Sequence, residues 1–227
     1  MTMIEVHHLE HSRSQRIIWL LEELGLPYKV TRYARDAKTY LAPPELLKIH
    51  PLGKSPVITD GDITVAESGA IVEYLIDKAG GKMRPAHGTQ AHRDYTYWMH
   101  FAEGTAMPPL VMTLVFNKIE NAPVPAFLKP IVLPIARGIS KQVKSGFINP
   151  NLEKQFAYIE GVLSKNEWFC GSEMTGADFM MSFPLEAAIS RAESINSMPK
   201  IAAYVKRIHA MPSYKKALEV GGPYNYA

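Results

Sequence analysis

Three short segments in the first third of the chain carry side chains that could bind or activate a small anionic ligand. They are Ser12-Arg13-Ser14-Gln15-Arg16, His50-Pro51-Leu52-Gly53-Lys54-Ser55-Pro56-Val57 and Ala66-Glu67-Ser68-Gly69-Ala70-Ile71. Each combines hydroxyl groups with a charged residue close to the predicted start of a helix or strand. Such a set can bind carboxylates or hold a thiol in its ionised form.

The first segment lies where a predicted strand turns into a helix. Unpaired backbone N–H groups and the positive end of the helix dipole stabilise an anion there. A hydroxyl from Ser12 or Ser14 could donate a hydrogen bond to a thiolate, so that a thiol with a free pKa of about 8.5 stays ionised near neutral pH. The alternative is that Ser12 or Ser14 only caps the helix, because serine is a common N-cap residue.

The second segment places a proline directly before a predicted strand. Pro56 is therefore a candidate cis-proline. A cis bond would turn the backbone of Ser55 outward, where it could pair with an extended peptide. Lys54 could meet a carboxylate, although it could equally be a solvated loop charge.

The third segment ends one predicted strand and opens a helix. Ser68 and the amides of the first helical turn could bind a carboxylate. Glu67 could take an ammonium group. The alternative for this pair is again a simple helix cap.

The patterns along the first 78 residues predict the order β-α-β-α-β-β-α. The predicted elements are Met3–His8, Ser12–Leu24, Tyr28–Tyr33, Ala42–Ile49, Pro56–Thr59, Ile63–Ala66 and a helix from Glu67 to about Lys78. Asp60-Gly61-Asp62 is a hairpin signal between the last two strands.

A Gly-rich stretch, Gly80–Gly88, is the predicted linker between two domains, 1–82 and 89–227. Everything after it is predicted to be helical. Gln90–Phe116 is a long helix bent near Pro108-Pro109, and Pro123–Val143 is predicted as an irregular apolar segment. The remaining predicted helices are Leu152–Leu163, Thr175–Arg191, Lys200–Ala210 and Ser213–Leu218, with Thr175 and Asp178 forming an N-terminal capping box.

Composition narrows the possible functions. A net charge of +3 indicates no nucleic-acid partner. The lone Cys170 allows no intramolecular disulfide and favours a cytoplasmic protein. Pro123–Ile139 is too short and too interrupted for an integral membrane segment. His7 and His8 point to opposite faces of their strand, so no metal site is expected there.

Together the segments resemble the glutathione S-transferase superfamily. The matching pieces are Ser12 four residues before Arg16, the run Ile49–Leu75 and the run Met174–Phe179. The sequence looks most similar to the serine-type bacterial and fungal branch, related to the theta and phi classes. The resemblance implies an α/β thioredoxin-like N-terminal domain followed by an all-α helical-bundle C-terminal domain.

The resemblance also implies roles for individual residues. Ser12, or as a second choice Ser14, would donate to the glutathione sulfur. Ser55, before the cis-proline Pro56, would pair with the cysteinyl backbone, and Lys54 would lie near the glycyl end. Glu67 and Ser68 would grip the γ-glutamyl end, and Glu103 would reach the γ-glutamyl amine across a homodimer.

The implied function is glutathione transfer to a small hydrophobic electrophile, with glutathione as co-substrate and a role in detoxification. The same thiolate could reduce organic hydroperoxides. Two alternatives stay open: a glutathione-dependent isomerase, and a non-enzymatic ligand-binding or interaction module on the same fold. Tyr224 and Tyr226 in the C-terminal tail are candidates to cover the apolar pocket.

Overall fold

The computed structural model describes residues 2–191, 195 and 197–226. Its N-terminal part contains a four-stranded sheet with the order β2-β1-β3-β4. The strands are β1 (Ile4–Leu9), β2 (Tyr28–Tyr33), β3 (Val57–Asp60) and β4 (Ile63–Ala66). β1 and β2 are parallel, whereas β3 is antiparallel to both β1 and β4. This mixed sheet confirms the predicted thioredoxin-like fold class of the N-terminal part.

The helices of the N-terminal part are α1 (Gln15–Leu24), a short 3-10 helix (Pro44–Lys48) and α2 (Ser68–Lys78). α1 begins three residues later than the sequence pattern predicted, because residues 12–14 form a turn. It ends where Gly25 adopts a φ of +67° and its N–H bonds back to the carbonyl of Glu22. This left-handed conformation is one that glycine adopts without steric cost.

The rest of the chain is helical. It comprises α3 (Gln90–Phe101), a π-helical turn (Ala102–Ala106), α4 (Met107–Glu120), a 3-10 turn (Ala126–Leu128), α5 (Lys129–Val143), a second π-helical turn (Lys144–Ile148), α6 (Asn149–Leu163), α7 (Gly176–Arg191), α8 (Pro199–Ala210) and α9 (Pro212–Gly221). The mostly helical C-terminal part is as predicted, while the division at residues 82 and 89 stays a prediction. Within the described ranges, we find no helix with both the length and the apolar character needed to cross a bilayer.

The prediction of an irregular segment over Pro123–Val143 is wrong from Lys129 onward. α5 can be helical because its two prolines remove few of the backbone hydrogen bonds of the helix. Pro130 lies in the first turn, where a backbone N–H has no partner in the helix to lose. Pro134 is inside the helix and removes a single backbone hydrogen bond.

α1 is the element that joins the two parts of the chain. It contacts β1 and α2 in the N-terminal part and α7 and α9 in the helical part, and its residues 15–21 are all buried. Trp19 is fully buried there, with its ring 4.2 Å from that of Phe179 and its Nε1 donating to the hydroxyl of Ser213 at 3.2 Å. The helix that follows the Ser12 turn is therefore enclosed by both parts of the molecule.

A buried carboxylate holds the start of α7. Asp178 accepts hydrogen bonds from the backbone N–H of Thr175 at 2.8 Å, the N–H of Phe169 at 3.0 Å and the hydroxyl of Tyr204 at 2.9 Å. The bond back to Thr175 is one half of the predicted capping box. The other two bonds tie the preceding loop and α8 to the same point.

We predict that Asp178→Ala lowers the free energy of unfolding by about 3–4 kcal/mol, because four donors, including the Thr175 hydroxyl at 3.2 Å, lose their acceptor. Urea unfolding of the purified variant measures this change. Glu173→Ala, at an exposed carboxylate in the same segment, is the matched control and should change stability by less than about 0.5 kcal/mol. Equal effects of the two substitutions would contradict this role for Asp178.

Candidate functional site

A cleft of about 220 Å³ brings most of the predicted binding residues together. It lies beside the start of β3 and the start of α2, and its inner side is closed by residues from the β1–α1 turn and from the π-helical turn after α3. Its lining consists of Arg13, His50, Leu52, Lys54, Ser55, Pro56, Val57, Ala66, Glu67, Ser68 and Glu103. Of the predicted site residues, only Ser12 and Ser14 lie outside this lining.

The Ser55–Pro56 peptide bond is cis, as the position of Pro56 before a strand suggested. The hydroxyl of Ser55 donates to the carbonyl of His7 at 2.8 Å and accepts from the N–H of Leu9 at 3.2 Å. The side chain of Ser55 is thus used to attach this loop to β1. A ligand in the cleft would meet the backbone of Ser55 rather than its hydroxyl.

The start of α2 forms another wall of the cleft. Glu67 has a φ of +72°, a left-handed conformation that is uncommon for residues other than glycine. Its carbonyl accepts from the N–H of Ile71 at 2.9 Å, which begins the helix, and Ser68 is buried beside it. Non-glycine residues in this conformation cluster at ligand-binding sites.

Lys54 supplies a positive charge to the cleft. Among the described residues, none hydrogen-bonds or ion-pairs with its ammonium, so the charge is available to a ligand. The ring of His50 accepts a hydrogen bond from the N–H of Leu52 at 3.4 Å through Nδ1, which keeps the loop before Lys54 folded back on itself.

A chain of buried hydrogen bonds runs through the β1–α1 turn. The hydroxyl oxygens of Ser12 and Ser14 are 2.7 Å apart, and the hydroxyl of Ser14 lies 2.9 Å from Nδ1 of His8. The backbone N–H of Ser14 also donates to the hydroxyl oxygen of Ser12 at 3.2 Å. Neither serine is an N-cap with a side-chain hydrogen bond to the helix.

The two serines differ in their access to a ligand. Ser14 is fully buried, and His8, Leu9 and Ser12 surround its hydroxyl. Ser12 retains an exposed fraction of 7% and precedes Arg13, which lines the cleft. Burial, with a smaller effect from the charge of Arg32, lowers the pKa of His8 to about 4, so the imidazole is neutral at physiological pH.

An ion pair between the two parts of the chain closes the inner side of the cleft. Glu103, in the π-helical turn, accepts from Nε of Arg13 through both oxygens at 3.0 Å and from Arg16 at 2.5 Å. Arg16 also donates to the carbonyl of Met180 at 2.7 Å. π-helical turns inside helices occur frequently at functional sites, and this one carries Glu103 toward α1.

The charges of this group depend on one another. Burial alone would raise the pKa of Glu103, but the guanidinium groups of Arg16 and Arg13 outweigh it and hold the pKa below its ordinary value. Burial lowers the pKa of Arg16, and the charge of Glu103 opposes that shift. Two cations share one carboxylate, so the group carries net positive charge beside the cleft.

Cys170 and His7 are not part of the cleft lining. Burial raises the pKa of the Cys170 thiol to about 12, so this cysteine is not an ionised nucleophile at neutral pH. His7 hydrogen-bonds Tyr33 at 3.0 Å, away from His8. Within the described residues no group of side chains has the composition of a metal site.

The aromatic residues of α3 and the C-terminal tail lie in different surroundings. Tyr95 and Trp98 are core residues, whereas Tyr97 is exposed. In the tail, the ring of Tyr226 packs edge-on against Phe183 with centroids 5.3 Å apart. The guanidinium of Arg13 lies 5.2 Å from the centre of the same Phe183 ring, so the tail ends close to the cleft.

The fold and the cleft define the class of protein: a thioredoxin-like domain with a cis-proline cleft, attached to a helical unit. Family models agree with this description. The model of the glutathione S-transferase N-terminal domain matches residues 1–77, and that of the glutathione S-transferase C-terminal domain matches residues 134–220.

Comparisons with individual proteins give the same result. Glutathione S-transferase 3 of Schizosaccharomyces pombe is 36% identical over 96% of this chain and 87% of the relative. Glutathione S-transferase 1 of Saccharomyces cerevisiae is 33% identical over 96% of this chain and 94% of the relative. A solved glutathione S-transferase from Actinobacillus pleuropneumoniae has a TM-score of 0.78 at 32% identity and covers 99% of this chain and 95% of its own.

The chain therefore belongs to the glutathione S-transferase family. The predicted superfamily, its fold and its function as a glutathione transferase with glutathione as co-substrate are confirmed. Sequence reasoning did not find the joint role of Arg16 and Glu103, because these residues are 87 positions apart and no local pattern links them.

We predict that Glu103→Ala lowers the free energy of unfolding by about 2–3 kcal/mol. The variant leaves the Arg16 side chain, which is 1% exposed, without its carboxylate. The value is below that for a fully buried pair because Glu103 is 33% exposed. Since the folded pKa of Glu103 is lowered, this contribution is lost as the pH falls through that pKa.

Denaturant unfolding of wild type and variant at neutral and acidic pH measures this difference. The control is Glu167→Ala, which removes the exposed partner of Arg207 at 3.9 Å and should cost less than about 1 kcal/mol. A difference between wild type and Glu103→Ala that grows in acid would contradict the assignment.

Proposed function

We propose that this glutathione transferase holds the glutathione thiolate through the hydroxyl of Ser12. The observation that carries the proposal is the hydrogen bond from the Ser14 N–H to the Ser12 oxygen. The Ser14 N–H holds the Ser12 oxygen in place, and the Ser12 hydroxyl can still donate its own proton. When a sulfur occupies the end of the cleft beside Arg13, the Ser12 hydroxyl donates this proton to the sulfur.

The cleft supports a defined orientation of the tripeptide. The ammonium of Lys54 attracts the glycyl carboxylate, and the backbone of Ser55 before the cis-proline pairs with the cysteinyl residue. Glu67 and Ser68 at the start of α2 take the γ-glutamyl end, where a helix N-terminus favours a carboxylate. In this orientation the thiol points toward the β1–α1 turn.

Charge around the turn favours the ionised thiol. The group of Arg13, Arg16 and Glu103 has one more positive than negative charge, and the N-terminal end of α1 adds its dipole. In a single chain Glu103 already lines the cleft and orients both arginines. We propose that this is its main contribution, with contact to the γ-glutamyl amine of a partner's ligand as a second one.

Conjugation of glutathione to an electrophile needs only the bound, ionised thiol and an electrophile placed next to its sulfur. The thiolate sulfur forms a bond to the electrophilic carbon, and the leaving group departs with the electron pair of the broken bond. Catalysis rests on the fraction of sulfur that is ionised and on its fixed position, with no covalent bond to the enzyme. A thiolate held in this way also attacks the terminal oxygen of an organic hydroperoxide. The O–O bond breaks, the alcohol leaves, and the resulting sulfenic acid reacts with a second glutathione to give glutathione disulfide and water, so we include peroxidase activity in the same proposal.

The electrophile would lie on the helical side of the sulfur. Phe183 and Tyr226 are apolar surfaces next to Arg13. The tail that carries Tyr226 is anchored by the hydroxyl of Tyr224, which donates to the buried carboxylate of Glu186 at 2.5 Å. We propose that this tail forms one wall of a pocket for hydrophobic compounds.

The family resemblance supports four wider proposals, on the branch, the compartment, the physiological role and the assembly of this protein. The protein belongs to the serine-type branch, because Ser12 occupies the turn where other branches carry a different residue. It acts in the cytoplasm, where a single unpaired Cys170 stays reduced. Its physiological role is detoxification of electrophiles as a homodimer.

We predict that Ser12→Ala lowers kcat/KM at neutral pH roughly 10- to 100-fold with an aromatic halide as electrophile. A hydrogen bond to a charged group contributes about 1.5–3 kcal/mol, equivalent to about one to two pKa units of the bound thiol. The pH–rate profile of Ser12→Ala should therefore shift to alkaline pH and approach the wild-type rate there. Glutathione binding should persist, because the rest of the cleft is unchanged.

Ser14→Ala is the matched control, since it removes the neighbouring hydroxyl without touching the cleft. It should lower kcat/KM less than about tenfold and lower stability by about 1–2 kcal/mol, because Nδ1 of His8 loses its partner. A larger rate loss in Ser14→Ala than in Ser12→Ala would assign the donor to Ser14. Absence of glutathione binding by the wild type would favour the interaction-module alternative.

We predict that light scattering of the purified protein gives the mass of two 25.4 kDa chains. The expectation follows from the family resemblance. The measurement is made at several protein concentrations, because a weak dimer dissociates on dilution. The mass of a single chain at all concentrations would contradict the proposed homodimer.

A further inference from the structure

The outer side of α5 and the turn before it carries a stripe of exposed apolar side chains. Phe127, Ile131, Ile135 and Ile139 are spaced four residues apart and have exposed fractions between 55% and 79%. Residues at this spacing share one face of a helix. Large apolar side chains that are exposed singly need no explanation, but a continuous stripe marks an interaction surface.

The stripe is not a part of the core that is merely loosely packed. α5 is attached to α4 by its opposite side, where buried Ser140 donates to the carbonyl of Phe116 at 3.4 Å and Val143 packs against the core. One side of α5 therefore packs against the rest of the protein, and the stripe lies on the opposite side, which is exposed to solvent.

The segment that carries the stripe contains charged side chains of a single sign. The sequence contains no aspartate or glutamate between Glu120 and Glu153, whereas Lys129, Arg137, Lys141 and Lys144 all lie in this interval. Lys144 is paired with Glu120 at 2.6 Å. Arg137 and Lys141 are exposed one helical turn apart, and a helical projection puts them on the flank next to Phe127 and Ile131.

This charge pattern distinguishes between two possible partners of the stripe, a second copy of the chain and a lipid surface. A two-fold contact between copies of the chain would place the same face against itself. The cations of one copy would then meet those of the other, with no acidic residue in the segment to offset them. An anionic lipid surface offers both an apolar interior and negative charge. A helix with one apolar face and flanking cations lies in such a surface, with its axis in the membrane plane.

We propose that α5, with residues 127 and 128 before it, docks this protein reversibly on anionic membranes. The Phe127–Ile139 stripe enters the boundary between headgroups and acyl chains. Arg137 and Lys141 remain at the level of the lipid phosphates. Ser12 and the glutathione cleft belong to other elements, so docking and catalysis can be tested separately.

The test is co-sedimentation of the full chain with vesicles of phosphatidylcholine alone and of phosphatidylcholine mixed with phosphatidylglycerol. Wild type should pellet with the mixed vesicles and leave them as salt is added, because salt screens the attraction. Arg137→Gln with Lys141→Gln should weaken partitioning about 30-fold, since each cation near the surface contributes about fivefold. Ile131→Ser with Ile135→Ser should weaken it more than about tenfold.

Matched controls are Ile63→Ser, at an equally exposed isoleucine on β4, and Lys154→Gln with Lys165→Gln, at two exposed lysines elsewhere. These should leave partitioning unchanged, and all variants should retain turnover of glutathione in solution, which verifies their folding. Failure of wild type to pellet with either vesicle type would overturn the proposal, as would equal binding to both. A change of assembly mass in Ile131→Ser with Ile135→Ser, without vesicle binding by wild type, would assign the stripe to a contact between copies.

Discussion

The turn between β1 and α1 is held by hydroxyl groups that bind one another, and the position of the proposed thiolate donor depends on this arrangement. Ser14 fills a buried space between His8 and Ser12, and its backbone N–H fixes the oxygen of Ser12. A buried polar group needs a partner, because an unsatisfied one costs about 1–3 kcal/mol. The network thus favours one position for the Ser12 hydroxyl at the edge of the cleft.

The cleft itself depends on contacts between the two parts of the chain. α1 supplies Arg16, which reaches Glu103 after α3 and the carbonyl of Met180 in α7. The arginine side chain is buried, so its charge is tolerated only while both acceptors are in place. The helical part therefore does more than cover the thioredoxin-like domain, because it sets the electrostatic field at the turn where the sulfur is proposed to bind.

Much of the N-terminal fold could be predicted from local patterns. The strands alternate or are short and apolar, Gly25 ends α1, and Asp60-Gly61-Asp62 marks the hairpin. The grouping of Lys54, Ser55, Pro56, Glu67 and Ser68 in one cleft followed from the family resemblance more than from any single motif. α5 was missed because prolines predict a break, whereas here Pro130 lies in the first turn and the helix continues through Pro134 with the loss of a single backbone hydrogen bond.

The roles of side chains that act over long distances could not be predicted. Nothing near Arg16 indicates that it pairs with Glu103, and nothing near Asp178 indicates that Tyr204 and Phe169 both donate to it. The choice between Ser12 and Ser14 was open because both precede the helix. Our proposal of Ser12 rests on burial, since Ser14 is enclosed while Ser12 keeps a small exposed fraction.

A crystal structure of the complex with glutathione is the most direct test of the central claim. The account predicts the glutathione sulfur within hydrogen-bond distance of the Ser12 hydroxyl, at no more than about 4 Å, and the hydroxyl of Ser14 still bound to His8. A sulfur that lies away from Ser12, or that contacts Ser14 after the turn has opened, would contradict it.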